Sequence, residues 1–352
     1  MPDPAGRGQP RAPGLEPVIG GARPPATAAQ APLPVLSWRA ARTAMTTHSD
    51  NAPSAMVPGN HDGVHLGHRA LVERARAHAG AHGLRVVAVT FDPHPSVVLA
   101  PERAPTPLTT VARRSELLRA FGADEVAVQA FTREFASRSA DAFLEDLVAR
   151  GAHAFVVGPD FRYGQGRAGD LDALRAFGAA RGVAVLVEEP IVIEGERVSS
   201  SAVRDAVRAG EVERAARLLG RLHDIDGRVV VGHRRGRTLG FPTANLAPDP
   251  VLLPEDGVYA VVVRAPGAAS ILGGVANIGV RPTFAAGRAV EAHLFDFAGD
   301  LYDTTLRVGF VKRLRGERRF ESMDALRAQI ALDSAAARAA LASANRDSWS
   351  WI

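Results

Sequence analysis

The sequence predicts two domains of different fold class: an α/β domain with a parallel sheet, then a small antiparallel β-barrel with a C-terminal helix. The 352 residues exceed the length over which one hydrophobic core usually grows. From about Leu66 to Leu219, apolar strand-like runs alternate with helical stretches. After Leu219, strand-like runs are separated by Gly- and Pro-rich turns with almost no helix. We therefore expect the domain boundary near residues 220–224.

The first domain is predicted to contain buried parallel strands joined by helices. Residues 84–91 form a nearly continuous apolar run, as expected for a strand that is covered on both faces. The other predicted strands are 124–128, 154–158 and 183–187, and the predicted helices are 111–121, 141–150 and 171–180. In open sheets of this kind, ligands bind at the carboxyl ends of the strands.

The second domain is predicted to be a barrel closed by one amphipathic helix. Its strand-like runs are 227–232, 257–264, 271–278, 289–297 and 305–311. An apolar stripe over residues 322–342 predicts the C-terminal helix. The side chains expected to face the barrel are Met323, Leu326, Ile330 and Leu332. We expect the two domains to span residues 53–220 and 221–346.

Residues 1–52 are predicted to be a disordered extension. They are rich in Pro, Ala and Gly and show neither helical nor strand periodicity. Their arginines are a feature of transit peptides, but Asp3, Glu16 and the prolines argue against one. Met45 and Met56 are alternative translation starts, and the sequence leaves that choice open.

Composition excludes several classes of function. The absence of cysteine excludes disulfides, thiolate metal sites and cysteine nucleophiles, and it fits a reducing cytoplasm. No apolar run of about 18 residues predicts a membrane span. The isoelectric point is about 10.2, yet the net charge is only +4 and the arginines are interspersed with acidic residues, so we expect no nucleic-acid partner. The single lysine, Lys312, lies in no glycine-rich loop, which excludes a Walker-type phosphate loop.

The first motif is a turn from Gly59 to Gly63 followed by His-Leu-Gly-His at residues 65–68. Its histidines are three residues apart and share one face of a helix start. Two imidazoles at the positive end of a helix form a phosphate site. We therefore expect His65 and His68 to contact the triphosphate of ATP, with a metal-ligating pair and a solvated helix start as alternatives.

The second motif places three serines, Ser199, Ser200 and Ser201, shortly before Arg204. Serines at the head of a helix bond its free N–H groups, so an N-cap is the simplest interpretation. Arg204 falls on the same turn as Ser200 and Ser201. There its guanidinium can bind the β- and γ-phosphates of ATP through paired hydrogen bonds.

The third motif is GRTLGFPTAN, from Gly236 to Asn245. Gly236 and Gly240 leave backbone N–H groups open to phosphates, and Pro242 fixes the chain before an extended segment. Thr243 and Asn245 alternate, so their side chains point the same way. Their neutral oxygens suit Mg²⁺ that also holds nucleotide phosphates. An ordinary turn into a strand is the alternative.

These motifs resemble those of the bacterial bifunctional riboflavin kinase/FAD synthetase family, from about Gly59 to the last helix. The third matches the riboflavin kinase signature GRxLGFPTAN at every residue, and the first two resemble the HxGH and SSTxIR motifs of the nucleotidyltransferase superfamily. The resemblance implies a Rossmann-like nucleotidyltransferase domain that adenylylates FMN to FAD. It further implies a β-barrel riboflavin kinase domain that phosphorylates riboflavin to FMN, with ATP as co-substrate and Mg²⁺ as cofactor.

The same resemblance implies roles for individual residues. Glu291, in the segment VEAHLFDF, corresponds to the family's proposed catalytic base, although an exposed strand glutamate is the alternative. The residues implied in nucleotide binding near the first motif are Gly59, Asp62 and Gly63. Those implied in flavin binding are Phe91, Pro93, His94, Pro95, Asp160, Asn277 and Arg281.

The sequence departs from the family at Pro58 and His61. Proline removes a hydrogen-bond donor from the expected central strand, and histidine replaces an apolar aromatic residue. The preceding residues are polar and proline-rich for a buried strand, so we expect reduced FAD synthesis with intact kinase activity. A monofunctional riboflavin kinase with a degenerate first domain, a non-catalytic flavin- or nucleotide-binding regulator, and a weak homo-oligomer are left open.

Overall fold

A computed structural model describes residues 51–231, 241–268, 270–280 and 288–352. The N-terminal part contains a sheet of five parallel strands in the order β3-β2-β1-β4-β5. The strands are β1 Ser54–Pro58, β2 Arg85–Asp92, β3 Glu125–Ala130, β4 Ala152–Val157 and β5 Ala184–Val187. The predicted parallel sheet is therefore confirmed. Its strand order reverses at β1, so the carboxyl ends of β1 and β4 border the crevice where such sheets bind ligands.

Helices cover both faces of this sheet. They are α1 Leu66–His82, α2 Pro95–Leu99, α3 Val111–Ala120, α4 Arg133–Ala136, α5 Ala140–Ala149 and α6 Leu171–Arg181. A short hairpin, β6 Val192–Ile193 and β7 Glu196–Arg197, then leads into α7 Ser200–Arg208 and α8 Val212–Leu219. Two apolar clusters lie on opposite sides of the sheet, because strand side chains alternate between its faces. Among the described helices, none combines the length and apolar character needed to cross a membrane.

The expectation that residues before Gly59 make a poor strand is wrong. All five residues of β1 are buried, and β1 pairs with β2 on one side and β4 on the other. Past Pro58, the N–H of Gly59 still donates to Val89 O at 3.0 Å. Consecutive residues of a strand bond to opposite neighbouring strands. Because Gly59 bonds β2, the nitrogen of Pro58, one residue earlier, is directed toward β4. The printed pairing with β4 stops at Met56, so proline costs a bond at the end of that ladder and leaves the ladder with β2 intact.

The C-terminal part is a closed six-stranded barrel in the order β10-β11-β12-β9-β8-β13. Its strands are β8 His223–Val230, β9 Ala244–Pro248, β10 Gly257–Arg264, β11 Leu272–Val280, β12 Arg288–Leu294 and β13 Thr305–Arg315. The neighbouring strands are antiparallel, as predicted. Each predicted strand run corresponds to one of these strands, and β9 is added to them. Aliphatic and aromatic side chains fill the interior.

The C-terminal helix α9, Met323–Ser343, packs through the stripe that contains Leu326 and Ile330, but the predicted contacts of Met323 and Leu332 are wrong. Met323 and Leu332 are 55% and 64% exposed, whereas Ala337 and Leu341 are buried against the outside of the barrel. Leu326 and Ile330 are half-buried, so the expected orientation holds for those two. Leu332 lies about 200° around the helix from Ile330, because each residue turns about 100°, so it cannot share the packed face.

A buried network of ion pairs joins the two domains. Arg113 of α3 donates from Nε and Nη2 to the two carboxylate oxygens of Asp224 in β8, both at 2.9 Å. Arg221 bonds the same carboxylate at 2.9 Å, and Arg307 of β13 bonds Glu116 of α3 at 2.8 and 2.9 Å. Burial raises the pKa of Asp224, but the charges of Arg113 and Arg221 outweigh burial and hold that pKa below its usual range. The barrel is thus anchored to the sheet domain by charge.

Candidate active sites

The turn between β1 and α1 brings the predicted phosphate-binding residues to the carboxyl end of the central strand. Gly59 starts the turn from the end of the sheet, where it bonds Val89. Gly63 has a φ of 81°, and a Cβ there would lie 2.7 Å from Cδ1 of Leu108, so only glycine fits. The turn then delivers His65 to the N-cap of α1. The predicted helix start is confirmed.

Three histidine rings pack together at this helix start. His65 and His68 are stacked with centroids 3.7 Å apart, and His61 meets His68 edge to face at 5.0 Å. Burial, with smaller effects of neighbouring charges, lowers the pKa of His61 to about 4 and that of His65 to about 3. Burial and the adjacent histidines also lower the pKa of His68. All three rings are therefore neutral at pH 7, and Nε2 of His61 lies 2.9 Å from Val57 O, which makes this nitrogen the donor.

Asp62 is part of this turn, and its buried side chain connects the turn to distant parts of the chain. It is 1% exposed and accepts hydrogen bonds from the N–H groups of Leu108, at 3.0 Å, and Thr109, at 3.2 Å. Its carboxylate also forms a buried ion pair with Nη2 of Arg204, whose Nε donates to Thr106 O at 3.2 Å. The carboxylate therefore fixes both the guanidinium of Arg204 and the loop before α3.

The three predicted serines have different environments at the start of α7. Ser199 caps the helix by accepting the N–H of Ala202 at 3.1 Å, so the N-cap interpretation is confirmed for that residue. Ser200 Oγ donates to Asp62 O at 2.9 Å, and Ser201 is exposed. The second motif thus meets the first through Asp62, although well over a hundred residues separate them along the chain.

The loop after β2 lies beside the histidine turn. Phe91 lies near the end of β2, Pro93 lies in the loop, and His94 is the N-cap of the short helix α2, which begins at Pro95. Nε2 of His94 lies 3.3 Å from the side-chain nitrogen of Asn60, in the turn that follows β1. Burial lowers the pKa of His94. The predicted flavin loop and the predicted phosphate site therefore share one edge of the sheet.

An aromatic cluster at this same edge was missed from the sequence. Phe91 is 5.6 Å from Phe131 and 6.0 Å from Phe135 between ring centroids, and Phe161 stacks on Tyr163 at 5.4 Å. Phe131 directly follows β3, and Phe161 lies in the loop after β4. The signal was present in the sequence, because an aromatic residue ends or follows each of three successive strands. Such partly buried rings can stack on a planar ligand.

The structure gives no site contact for Asp160, and three other predicted site residues cannot be placed. The side chain of Asp160 is 70% exposed and forms an ion pair with Arg197 of the β6–β7 hairpin. Gly236, Gly240 and Arg281, predicted to bind nucleotide or flavin, lie outside the described residues.

The second candidate site is a row of polar side chains across three barrel strands. Glu291 of β12 is the register partner of Asn245 in β9 and of Asn277 in β11. Val290 and Ala292, on either side of Glu291, are buried inside the barrel. Because strand side chains alternate, the row lies on the outer face. The three predicted residues are therefore side by side, although they come from separate segments of the sequence.

Thr243 lies two residues before Asn245, just before β9, and is half-buried. A hydroxyl and an amide oxygen beside a carboxylate form a hard oxygen donor set of the kind Mg²⁺ prefers, and this set fits the metal when phosphate oxygens complete the shell. In the described ranges, no group of three or more His, Asp or Glu side chains is arranged to hold a metal by itself. The arrangement favours a cation that arrives with a nucleotide.

Comparisons with known proteins agree with this division. A family model described as FAD synthetase matches residues 47–202, and one described as riboflavin kinase matches residues 219–341. The chain is 43% identical to the bifunctional riboflavin kinase/FMN adenylyltransferase of Pseudomonas fluorescens, over 80% of this chain and 91% of the relative. It is 41% identical to the protein of the same description from Escherichia coli strain K12, over 80% of this chain and 90% of the relative. A crystal structure described as a macrolide-efflux protein from Streptococcus pneumoniae aligns with a TM-score of 0.75 and 30% identity, covering 82% of this chain and 95% of that one.

Proposed function

Because the chain belongs to the bifunctional riboflavin kinase/FMN adenylyltransferase family, we propose that it makes both flavin nucleotides. The barrel, residues 221–346, transfers the γ-phosphoryl group of ATP to riboflavin and forms FMN. The α/β domain, residues 53–220, transfers AMP from a second ATP to FMN and forms FAD and pyrophosphate. The observation that carries the proposal is the convergence of both phosphate-binding motifs on Asp62.

In the kinase reaction, Glu291 accepts the proton of the attacking riboflavin hydroxyl. Thr243 and Asn245 provide oxygens for Mg²⁺, which neutralises charge on the phosphates of ATP when it is bound. Asn277, on the other side of Glu291, faces the flavin. The register row supports these roles, since Glu291 is the direct register partner of Asn245 on one side and of Asn277 on the other. A positioned base of this kind typically contributes about 10²–10⁴ in rate.

In the adenylyltransferase reaction, a phosphate oxygen of FMN attacks the α-phosphorus of ATP. One P–O bond forms, the bond to the β-phosphate breaks, and pyrophosphate leaves, so no protein nucleophile is required. His65 and His68, at the positive end of α1, donate to the triphosphate as charge builds up. Arg204, held by its ion pair with Asp62, binds the phosphates that leave as pyrophosphate. The serines of α7 and the glycines of the turn after β1 enclose the nucleotide.

The proposed flavin site of the first domain is the edge formed by Phe91, Pro93, His94 and Pro95, extended by Phe131 and Phe161. The rings support it, because a planar isoalloxazine buries well against aromatic side chains. Asp160 stays part of the proposal as an exposed residue of the loop that also carries Phe161. The proposal includes a cytoplasmic location, which suits a chain without cysteine.

The test is a time course with riboflavin and Mg·ATP in which FMN and FAD are separated by chromatography. We expect FMN to accumulate first and FAD to follow, and FMN added alone with Mg·ATP to give FAD. His68→Asn should abolish the second product and leave the first. FMN without any FAD would favour the monofunctional kinase, and neither product would favour a non-catalytic binder.

A further inference from the structure

His293 of β12 joins two segments of the kinase site through one hydrogen bond. Its Nδ1 lies 2.8 Å from Pro242 O, in the segment that leads into β9. A carbonyl oxygen only accepts, so the imidazole must donate from Nδ1. This requirement selects one tautomer and leaves Nε2 as an acceptor when the ring is neutral.

This bond lies where the backbone pairing of the two strands stops. The register between β12 and β9 ends at Ala292 opposite Ala244. The next residue on β12 is His293, and the residue that precedes Ala244 is the proposed metal ligand Thr243. Pro242 has no N–H of its own to contribute to a ladder. The side chain of His293 thus adds a contact between β12 and the segment before β9, beyond the last backbone pair of the two strands.

The orientation of the His293 ring is set by two aromatic neighbours. Phe241 meets it edge to face at 5.5 Å and an interplanar angle of 82°, and Phe295 does so at 5.8 Å and 76°. Phe295 is buried beneath α9 in the cluster that includes Leu341. The imidazole is therefore fixed by a core element, and the segment with Thr243 is fixed in turn by the imidazole.

We propose that His293 is a positioning residue of the kinase site, which presents Thr243 beside Asn245 and Glu291 before Mg·ATP arrives. The inference rests on the proposed function, because it assumes that Thr243 is a metal ligand. It assigns no contact between His293 and the reacting atoms. A preformed ligand pair binds the metal–nucleotide complex more tightly, because less conformational freedom is lost on binding.

Two variants separate the hydrogen bond from the aromatic ring. His293→Phe keeps the aromatic contacts and removes the donor, whereas His293→Asn keeps a side-chain N–H at the position of Nδ1. Steady-state FMN formation is measured against Mg²⁺ and Mg·ATP concentrations. FAD formation from FMN in the other domain and the midpoint of thermal unfolding serve as controls for folding.

For His293→Phe we expect the KM for Mg·ATP and the half-saturating Mg²⁺ concentration to rise roughly tenfold with kcat changed much less, the scale of one lost hydrogen bond. His293→Asn should return both values to within about twofold of the parent. Unchanged Mg²⁺ dependence in His293→Phe, or equal impairment in both variants, would overturn the inference. Thr243→Ala tests its premise separately, since a parental Mg²⁺ requirement in that variant would refute the metal site itself.

Discussion

Glu291 and Asn245 are direct register partners on adjacent barrel strands, with their side chains on the same outer face. Paired residues on neighbouring antiparallel strands have Cβ atoms about 4.5–5.5 Å apart. A carboxylate and an amide at this separation can act on one phosphoryl transfer, the first as base and the second as metal ligand. The relationship gives separate expectations for the two residues.

Asn245→Ala is expected to lower FMN formation by roughly a hundredfold or more, because one fixed electrostatic stabiliser of the transferring group is lost. The measurement is the rate of FMN appearance at saturating riboflavin and Mg·ATP. FAD formation from added FMN is the internal control, since it takes place in the other domain. A variant that makes FMN at nearly the parental rate would refute the metal assignment.

Glu291→Gln is expected to bind Mg·ATP like the parent and to form FMN about 10²–10⁴ times more slowly, since the amide cannot accept the hydroxyl proton. Nucleotide affinity is measured by calorimetry and turnover by chromatography. Equal loss of binding and turnover would instead indicate a role in holding the ligand. An unaffected rate would make Glu291 an ordinary strand glutamate.

How far the sequence predicts this molecule depends on the range of the interactions involved. Apolar runs located four of the five sheet strands within a few residues, because burial on both faces leaves a local pattern. The pairing of Asp62 with Arg204 was not predictable from either segment, since it depends on how α7 returns to the turn after β1. The sequence shows which residues carry charge, and only the fold shows which charges face one another.

Pro58 shows the opposite limit of sequence reasoning. The rule against proline in a central strand is sound on average, but its effect depends on which neighbour the missing N–H would have faced. At Pro58 the missing N–H would have faced β4 at the last bond of that ladder, while the pairing with β2 continues through Pro58. The same residue one position earlier would have interrupted the ladder with β2.

Pro58→Ile is therefore expected to leave FAD formation within about twofold of the parent, contrary to the impairment that the sequence suggested. The matched control is Val57→Pro, which removes a donor directed at β2 and should destabilise the domain by about 3 kcal/mol or more. Initial rates of FAD formation and urea unfolding provide the two readouts. A severalfold gain of FAD formation in Pro58→Ile would restore the original expectation of a damaged strand.

Arg113→Met is expected to lower the free energy of unfolding by about 3–5 kcal/mol, because Asp224 loses one of its buried partners. Since this pair connects α3 with the barrel, both activities should be lost at a lower temperature, and the kinase should not survive alone. Arg119→Met is the control, on the same helix but exposed. Loss of FAD formation with a fully stable kinase would show that the barrel folds independently.

Acid should destabilise the protein through its buried neutral histidines. Burial lowers the pKa of His61 to about 4 and that of His223 to about 4, whereas an unfolded histidine titrates near 6.5. The unfolded chain therefore takes up protons below about pH 6.5 that the folded protein does not bind until about pH 4. Stability that is fully present above pH 6.5 is lost as the pH falls through this window, by about 1–2 kcal/mol per such histidine between pH 7 and pH 5.

His61→Phe tests this expectation because it removes one such group from the cluster with His65 and His68, next to the charge of Arg114. Urea unfolding at pH 7 and pH 5 should show a smaller difference between the two pH values in the variant than in the parent. His153→Phe, at an exposed position of β4, is the comparison and should keep the parental difference. If His61→Phe loses as much stability on acidification as the parent, the imidazole at residue 61 takes up its proton at the same pH in the folded and the unfolded chain. The low pKa inferred for His61 would then be wrong.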